Sequence, residues 1–178
     1  SGPSGLSYKS FEGLLLQQKF DGGYKITAVK DANGKLLKHV VVQTMMRVIP
    51  PTPLKPGKSI TFSVEWNYNI NDTAKISGRT GYEYFKEDKN HLYAIAQWFP
   101  RMCAYTDVTG WQNKQYLGTG EFALEFGNYL VRITAPADHV VASTGVLQNA
   151  DKILTKTQRA RLAKARTAKK PVFIVDLA

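Results

Sequence analysis

The chain lacks several features that mark particular classes of protein. Its 178 residues include one cysteine, Cys103, which excludes an internal disulfide scaffold and a cysteine-rich zinc site without deciding the compartment. No run approaches the roughly 18 apolar residues that a membrane span needs. No secretory signal pattern occurs either. The contents of hydrophobic residues, 43%, and of charged residues, 21%, are those of an ordinary globular domain.

Acidic residues are also scarce, with 14 against 24 lysines and arginines. The positive excess is concentrated in one segment that contains no acidic residue, residues 152–170, with Lys152, Lys156, Arg159, Arg161, Lys164, Arg166, Lys169 and Lys170. Removing residues 151–170, which also contain Asp151, lowers the net charge from +10 to +3. Thr155 is a suitable cap for a helix over residues 157–168 that ends before Pro171. A local basic helix does not indicate a nucleic-acid partner, and we expect none.

Period-two alternation is the dominant pattern along the rest of the chain. From Ser59 to Ile70 every even position is apolar and every odd position is polar, which predicts a strand with one buried face and places Trp66 on that face. Alternation around Gly127-Asn128 predicts a hairpin of residues 121–126 and 129–134.

Shorter apolar runs predict the remaining strands. Residues 26–29 and 36–42 flank a turn at Asp31–Gly34, and we expect Val40, Val41 and Val42 to be buried on both faces. Residues 82–85 and 92–96 predict a second hairpin, and residues 140–143 and 172–175 complete the set. Strands at short intervals predict an all-β fold, an antiparallel β-sandwich of two packed sheets with one short basic helix near the C-terminus. Residues 1–10 are expected to be a flexible lead-in and residues 11–178 a single domain.

No catalytic or metal-binding pattern occurs in the sequence. The three histidines, His39, His91 and His139, lie about fifty residues apart, and none belongs to a His-Glu-x-x-His pattern. No Gly-x-Ser-x-Gly elbow is present. We therefore expect no catalytic residue and no metal site in this chain, with His91 in a hairpin turn and Cys103 as a small buried residue.

Residues 93–116 are unusually rich in aromatic side chains. Alternation breaks at Trp98-Phe99, and Pro100 cannot occupy an internal strand position. A strand that leads into an aromatic loop is a suitable place for a binding surface, although a loop that caps the core would have the same composition.

At this segment the sequence resembles the N-terminal domain of the aminopeptidase N-type zinc metallopeptidases. The matching stretches are Gly81–Phe85, Tyr93–Ala96 and then Gln97-Trp98-Phe99-Pro100, with looser matches at Cys103 and Asp107. Tyr129–Pro136 and Ala142–Gly145 resemble later segments of that domain. The resemblance covers roughly residues 36–150 and is closest to a divergent, Bacteroidetes-like bacterial branch.

The resemblance implies a fragment of a larger zinc aminopeptidase whose catalytic domain would follow. Zinc is then expected in that catalytic domain and no cofactor in this fragment. The implied partners are the catalytic domain of the same parent chain and a peptide substrate, whose N-terminus the segment Gln97, Trp98 and Phe99 would help to bind. The family offers the substrate amine a Gln or Glu at the position of Phe99, which cannot accept a hydrogen bond, so shape and apolar contact are the expected contribution here.

Two other functions remain open from the residues alone. A stand-alone carbohydrate- or protein-binding sandwich would use the aromatic loop and would present exposed coplanar rings. A nucleic-acid binder would use the basic helix and would show steeply salt-dependent binding.

Overall fold

The structure is a computed structural model that describes residues 7–76, 78–115 and 123–176. The chain divides into two compact units, residues 1–127 and residues 128–178. The first unit contains helix α1 (Tyr8–Lys19) and every strand of the described residues. The strands are β1 (Lys25–Asp31), β2 (Lys38–Val42), β3 (Met45–Ile49), β4 (Phe62–Asn67), β5 (Gly81–Phe85), β6 (Asn90–Ala94), β7 (Tyr105–Thr106) and β8 (Gly110–Trp111). The second unit contains α2 (Ala150–Ile153) and α3 (Lys156–Ala165).

The strands form four antiparallel pairs, β1–β4, β2–β3, β5–β6 and β7–β8, each a two-stranded sheet. The fold of the described residues is thus mostly antiparallel β-structure with few helices, which confirms the prediction at that level. The arrangement of two packed sheets and the single domain over residues 11–178 stay predictions.

Strand β4 confirms the strongest sequence pattern. Its burial alternates residue by residue, with Phe62, Val64 and Trp66 partly buried and the residues between them exposed. The strand is six residues long rather than twelve, because its partner β1 pairs only with Phe62–Asn67. Val29, opposite Val64, is fully buried, and Ala28, Leu37 and Ala104 are the other buried apolar side chains of the described residues.

The turn at Asp31–Gly34 is present and is closed by hydrogen bonds between Asp31 and Lys35 and between Gly34 and Asp31. The strand after the turn, β2, pairs with the next strand in the sequence, β3, which was not predicted. Leu36 makes an isolated bridge with Lys30 of β1 across the turn. The expectation that Val40, Val41 and Val42 are buried on both faces is wrong. These side chains are 45, 51 and 58% exposed, because a two-stranded sheet covers neither of its faces by itself.

The hairpin predicted at residues 82–96 is confirmed as β5–β6, with Tyr82 opposite Tyr93 and Tyr84 opposite His91. His91 therefore lies in a strand and not in the turn. The hairpin predicted around Gly127-Asn128 is wrong where the structure describes it. Residues 123–127 make a single bridge pair, Leu124 with Cys103, and residues 129–134 form no strand; residues 121 and 122 lie outside the described residues.

Residues 140–143 and 172–175 are likewise not strands, so these two predictions are wrong. Alternating apolar residues identify a face that a strand would have, but a strand also needs a neighbour to satisfy its backbone groups. The helix predicted near the C-terminus is confirmed as α3, and its capping box is complete. The Thr155 hydroxyl accepts from the Gln158 amide at 3.2 Å, and the Gln158 side chain accepts from the Thr155 amide at 2.9 Å.

Two helices were not predicted. Helix α2 is a single turn. The Arg159 guanidinium, in the first turn of α3, donates hydrogen bonds to the carbonyls of Asp151 in α2 and of Leu154, which directly follows α2. Helix α1 begins at Tyr8, inside the expected lead-in, while residues 1–6 lie outside the described residues. Its apolar residues Tyr8, Phe11 and Leu15 recur at helical spacing on one side of the helix.

Candidate functional site

An aromatic cluster lies where β4 meets the loop after β6. Trp66 is on the partly buried side of β4, and Tyr68 directly follows the strand and is also half-buried. Tyr24 directly precedes β1, the strand that pairs with β4. The Tyr24 ring lies 6.4 Å from the Trp66 ring and 5.5 Å from the Tyr68 ring, both tilted. The antiparallel register of β1 and β4 therefore brings together residues more than forty positions apart in the sequence.

The predicted segment Gln97-Trp98-Phe99 packs onto this cluster. Trp98 stacks on Trp66 with ring centroids 6.3 Å apart and an interplanar angle of 29°. Phe99 meets the Trp98 ring edge-on at 5.0 Å, and the Arg101 guanidinium lies 6.0 Å from the centre of the Phe99 ring. Trp98 and Phe99 are half-buried and Gln97 is exposed. The structure thus brings the three sequence-predicted site residues together with Trp66 and Tyr24.

Two hydrogen bonds hold the main chain of this loop. The Tyr24 hydroxyl donates to the carbonyl of Gln97, and the Trp66 indole Nε1 donates to the carbonyl of Trp98 at 3.1 Å. Gln97 has a φ of +52°, in the left-handed region that residues other than glycine seldom occupy. A conformation of this kind persists when neighbouring groups fix it, and the two aromatic donors do so here.

The cluster is an apolar environment for its phenols. Burial raises the pKa of Tyr24 above its ordinary value, and the neighbouring Tyr68 raises it further. Burial likewise raises the pKa of Tyr68. Both phenols are therefore neutral donors at physiological pH, so the cluster offers ring faces and hydroxyl groups rather than charge.

A recess of about 210 Å³ lies beside Gln97, lined by Arg79, Thr80, Ala96 and Gln97. Arg79 and Thr80 directly precede β5, and Ala96 and Gln97 follow β6, so the recess is at the open end of this hairpin. Sequence reasoning missed Tyr24 and Arg79 as neighbours of Gln97. The pairing of β1 with β4 and of β5 with β6 determines their position, and neither partner follows from the residues themselves.

A second aromatic group lies on the β5–β6 hairpin. Tyr82, Tyr84, His91 and Tyr93 are cross-strand neighbours on one face. The His91 and Tyr93 rings stack at 5.9 Å and 18°, and Tyr84 lies 4.7 Å from His91 at 38°. Tyr84 and Tyr93 are 47 and 43% exposed, so this face presents rings to its surroundings.

The other polar candidates are distributed over separate places. The Cys103 thiol is half-buried, 3.9 Å from the sulfur of Met45, rather than fully buried as expected. His39 Nδ1 lies 3.3 Å from the carbonyl of Leu37. His139 Nδ1 lies 2.8 Å from Asp138 Oδ1, and this hydrogen bond lowers the pKa of the Asp138 carboxyl. In the part of the chain that the structure describes, no three His, Cys, Asp or Glu side chains group together as metal ligands.

No protein-family profile, curated protein or solved structure matches this chain. Over residues 7–76, 78–115 and 123–176, no helix has the length and apolar character that crossing a membrane requires.

Proposed function

We propose that the chain is a non-catalytic accessory domain of a zinc aminopeptidase, which packs on the catalytic domain and helps to shape the pocket for the substrate N-terminus. The observation that carries the proposal is the amount of apolar surface that the chain leaves open. The chain exposes 16057 Å². Compact bodies of the two units' lengths would together expose roughly 10,000 Å².

Large apolar side chains are exposed on several elements of the first unit. Side chains that would form a core are instead 42–83% exposed, among them Tyr8, Phe11, Val42, Ile60, Leu92 and Met102. A stable interface needs about 800 Å² from each partner, and permanent interfaces use more and are more apolar. The chain therefore has ample surface for a permanent partner, as a domain that is covered by its own parent protein would have.

The two-stranded sheets fit the same proposal. We propose that they belong to the antiparallel β-sandwich of the family's N-terminal domain and that contact with the catalytic domain covers their exposed faces. The basic segment 152–170 predicts that part of the partner surface is acidic.

The role of the aromatic cluster in this proposal follows from its chemistry. Trp98 and Phe99 present ring surface and no hydrogen-bond acceptor, while the Gln97 side chain is exposed next to them. Planar apolar surface suits the side chain of the first substrate residue, and a ring face also attracts the cationic amine of a peptide N-terminus. Zinc belongs to the proposed catalytic domain, and this chain supplies neither metal ligands nor the catalytic base.

The decisive test is the coding sequence that follows residue 178. The proposal expects a His-Glu-x-x-His motif with a more distant Glu, preceded by a Gly-x-Met-Glu-Asn loop. A reading frame that continues into a region with no such zinc motif, or that ends without one, would refute it.

Substrate contact is tested in the protein that the whole reading frame encodes. Trp98→Ala and Phe99→Ala should raise KM for aminoacyl p-nitroanilides more than they lower kcat, because they remove binding surface and no reacting group. Trp111→Ala is the matched control, since Trp111 is 53% exposed and packs against Tyr105 on β7. A KM effect of Trp111→Ala equal to that of Trp98→Ala would contradict the assigned site.

One observation favours a second candidate, a stand-alone module that binds carbohydrate or protein. The ring face of β5–β6 has two exposed tyrosines, Tyr84 and Tyr93, and the nearly parallel rings of His91 and Tyr93, and a sugar ring can stack on exposed aromatic rings. A glycan array separates the two candidates. Saturable binding that Tyr84→Ala and Tyr93→Ala abolish would favour the module, whereas the accessory domain predicts no glycan binding.

A further inference from the structure

The recess at the open end of the β5–β6 hairpin is built from both sides of the hairpin. Arg79 and Thr80 line one side, and Ala96 and Gln97 line the other, around a volume of about 210 Å³. The Thr80 hydroxyl donates to the carbonyl of Ala94 at 3.1 Å, which joins the two sides. A space of this size admits a small functional group and the carbon that bears it.

The polar groups of the recess have unused hydrogen-bonding capacity. Across the described residues, the Arg79 guanidinium and the Gln97 carboxamide make no hydrogen bond or ion pair. The Thr80 hydroxyl already donates its hydrogen bond to the carbonyl of Ala94. The donors that remain are the five N–H groups of the guanidinium and the two of the carboxamide.

Both sides of the recess are held in place by close contacts. Gly81, next to Thr80, is buried and has a φ of +148°. The following residue, Tyr82, makes main-chain hydrogen bonds with Asn71 and Thr73. On the other side, the left-handed main chain of Gln97 is fixed through its carbonyl by the Tyr24 hydroxyl. An unusual backbone conformation that neighbouring groups enforce is a reason to look for a ligand at that residue.

We propose that this recess binds a carboxylate group, with the Arg79 guanidinium as a bidentate hydrogen-bond donor and the Gln97 carboxamide as an additional donor. The planar guanidinium matches the two oxygens of a carboxylate. One cation balances the single charge of a carboxylate, whereas a phosphate group would leave charge unbalanced. The proposal does not depend on the proposed function, because the recess consists only of residues of this hairpin and its flanks.

A peptide can supply a carboxylate from its C-terminus or from an Asp or Glu side chain, and the experiment separates these sources. The ¹⁵N-labelled full chain is titrated with N-acetyl-Ala-Ala, with the amide of that peptide, and with N-acetyl-glutamate α-amide. The shift of the Gln97 side-chain NH₂ signal is the readout. We expect saturable shifts from at least one free carboxylate, with a dissociation constant of about 1 mM, and none from the uncharged amide.

The variant Arg79→Gln should weaken carboxylate binding about tenfold or more, because it removes the charge-assisted hydrogen bonds. Arg47→Gln on β3 is the matched control with the same loss of charge, and it should change the affinity by less than about twofold. Binding of N-acetyl-Ala-Ala alone assigns the terminal carboxylate, and binding of the glutamate compound alone assigns the side chain. Equal shifts from the uncharged amide, no shift from either carboxylate, or equal losses in Arg79→Gln and Arg47→Gln would overturn the proposal.

Discussion

The indole Nε1 of Trp66 donates a hydrogen bond to the main-chain carbonyl of Trp98 at 3.1 Å, and the two rings stack at 6.3 Å. This contact joins the penultimate residue of β4 to the loop that follows β6. Trp66 thereby positions the loop, while Trp98 and Phe99 form the surface that we propose contacts the substrate.

Trp66→Ala should destabilise the chain by roughly 2–4 kcal/mol. It removes half-buried ring contacts and one hydrogen bond, which is less than the loss from a fully buried Trp, about 3–5 kcal/mol. Glu65→Gln, one residue away on the exposed side, should cost no more than about 1 kcal/mol, because the Lys30–Glu65 ion pair is exposed to solvent. Urea unfolding of the two variants measures both values. If Glu65→Gln were the more damaging substitution, the assignment of the two sides of β4 would be wrong.

Gly81→Ala should be destabilising by more than about 2 kcal/mol. A Cβ at this residue would lie 2.5 Å from Thr73 Cγ2 and 2.7 Å from the carbonyl oxygen of Asn71, and φ is +148°. Gly34→Ala is the control, since φ is +80° there but no atom lies within 4 Å of the added carbon. It should cost about 1 kcal/mol from backbone strain alone. Equal unfolding free energies for the two variants would contradict the close packing of β5 against residues 71–73.

Stability should fall in alkaline solution through the phenols of the aromatic cluster. The pKa of Tyr24 in the folded chain lies above its ordinary value, so the fold favours the neutral phenol. The stability that this preference adds is fully present below the pKa of tyrosine in the unfolded chain, about 10. It is lost as the pH rises through the pKa of Tyr24 in the folded chain. In Tyr24→Phe, the decline of the urea midpoint above about pH 10 should therefore be shallower than in wild type.

The matched control for this pH dependence is Tyr105→Phe, which removes an exposed phenol on β7 and leaves the cluster intact. Its alkaline decline should follow that of wild type. A Tyr24→Phe profile that also follows wild type would show that burial of the Tyr24 phenol does not contribute to stability.

Duplex nucleic acid should bind the basic segment only weakly. Arg159 donates to main-chain carbonyls and Arg161 lies 3.8 Å from Asp176, so part of the charge of α3 is already engaged within its own unit. At about 150 mM salt the dissociation constant should be no tighter than the roughly 10⁻⁴–10⁻⁶ M of non-specific attachment. Fluorescence anisotropy with labelled duplexes of two different sequences measures this. Nanomolar binding that depends on sequence would make a nucleic-acid function the leading proposal.

Local patterns predicted the elements whose partners are close in the sequence. The polar turn between Phe85 and Asn90 identified the β5–β6 hairpin, and Thr155 with Gln158 identified the start of α3. In the hairpin and at the helix start, the residues that form the recognisable pattern also make the hydrogen bonds of the element. Alternation in β4 likewise identified its partly buried side, though not its length, since the length depends on β1.

Predictions that needed a distant partner were less successful. Alternation at residues 129–134 gives no information on which strand would lie beside them, and they form none. Helix α1 was missed because Leu14-Leu15-Leu16 obscures the helical spacing of Tyr8, Phe11 and Leu15, and because its first turn has no acidic residue. Of the candidate site, Gln97, Trp98 and Phe99 were predicted from the family resemblance within an aromatic-rich segment, whereas Tyr24 and Arg79 required the pairing of the strands.

The most direct test of the proposed function compares chelator-sensitive hydrolysis of aminoacyl p-nitroanilides by two proteins at equal molarity with added Zn²⁺. One is this chain, residues 1–178, and the other is the product of its whole reading frame. The account predicts turnover by the full product that a chelator abolishes, and only the buffer rate for the chain alone, since the zinc site is assigned to the catalytic domain. Chelator-sensitive turnover by residues 1–178 alone, or none by the full product, would contradict it.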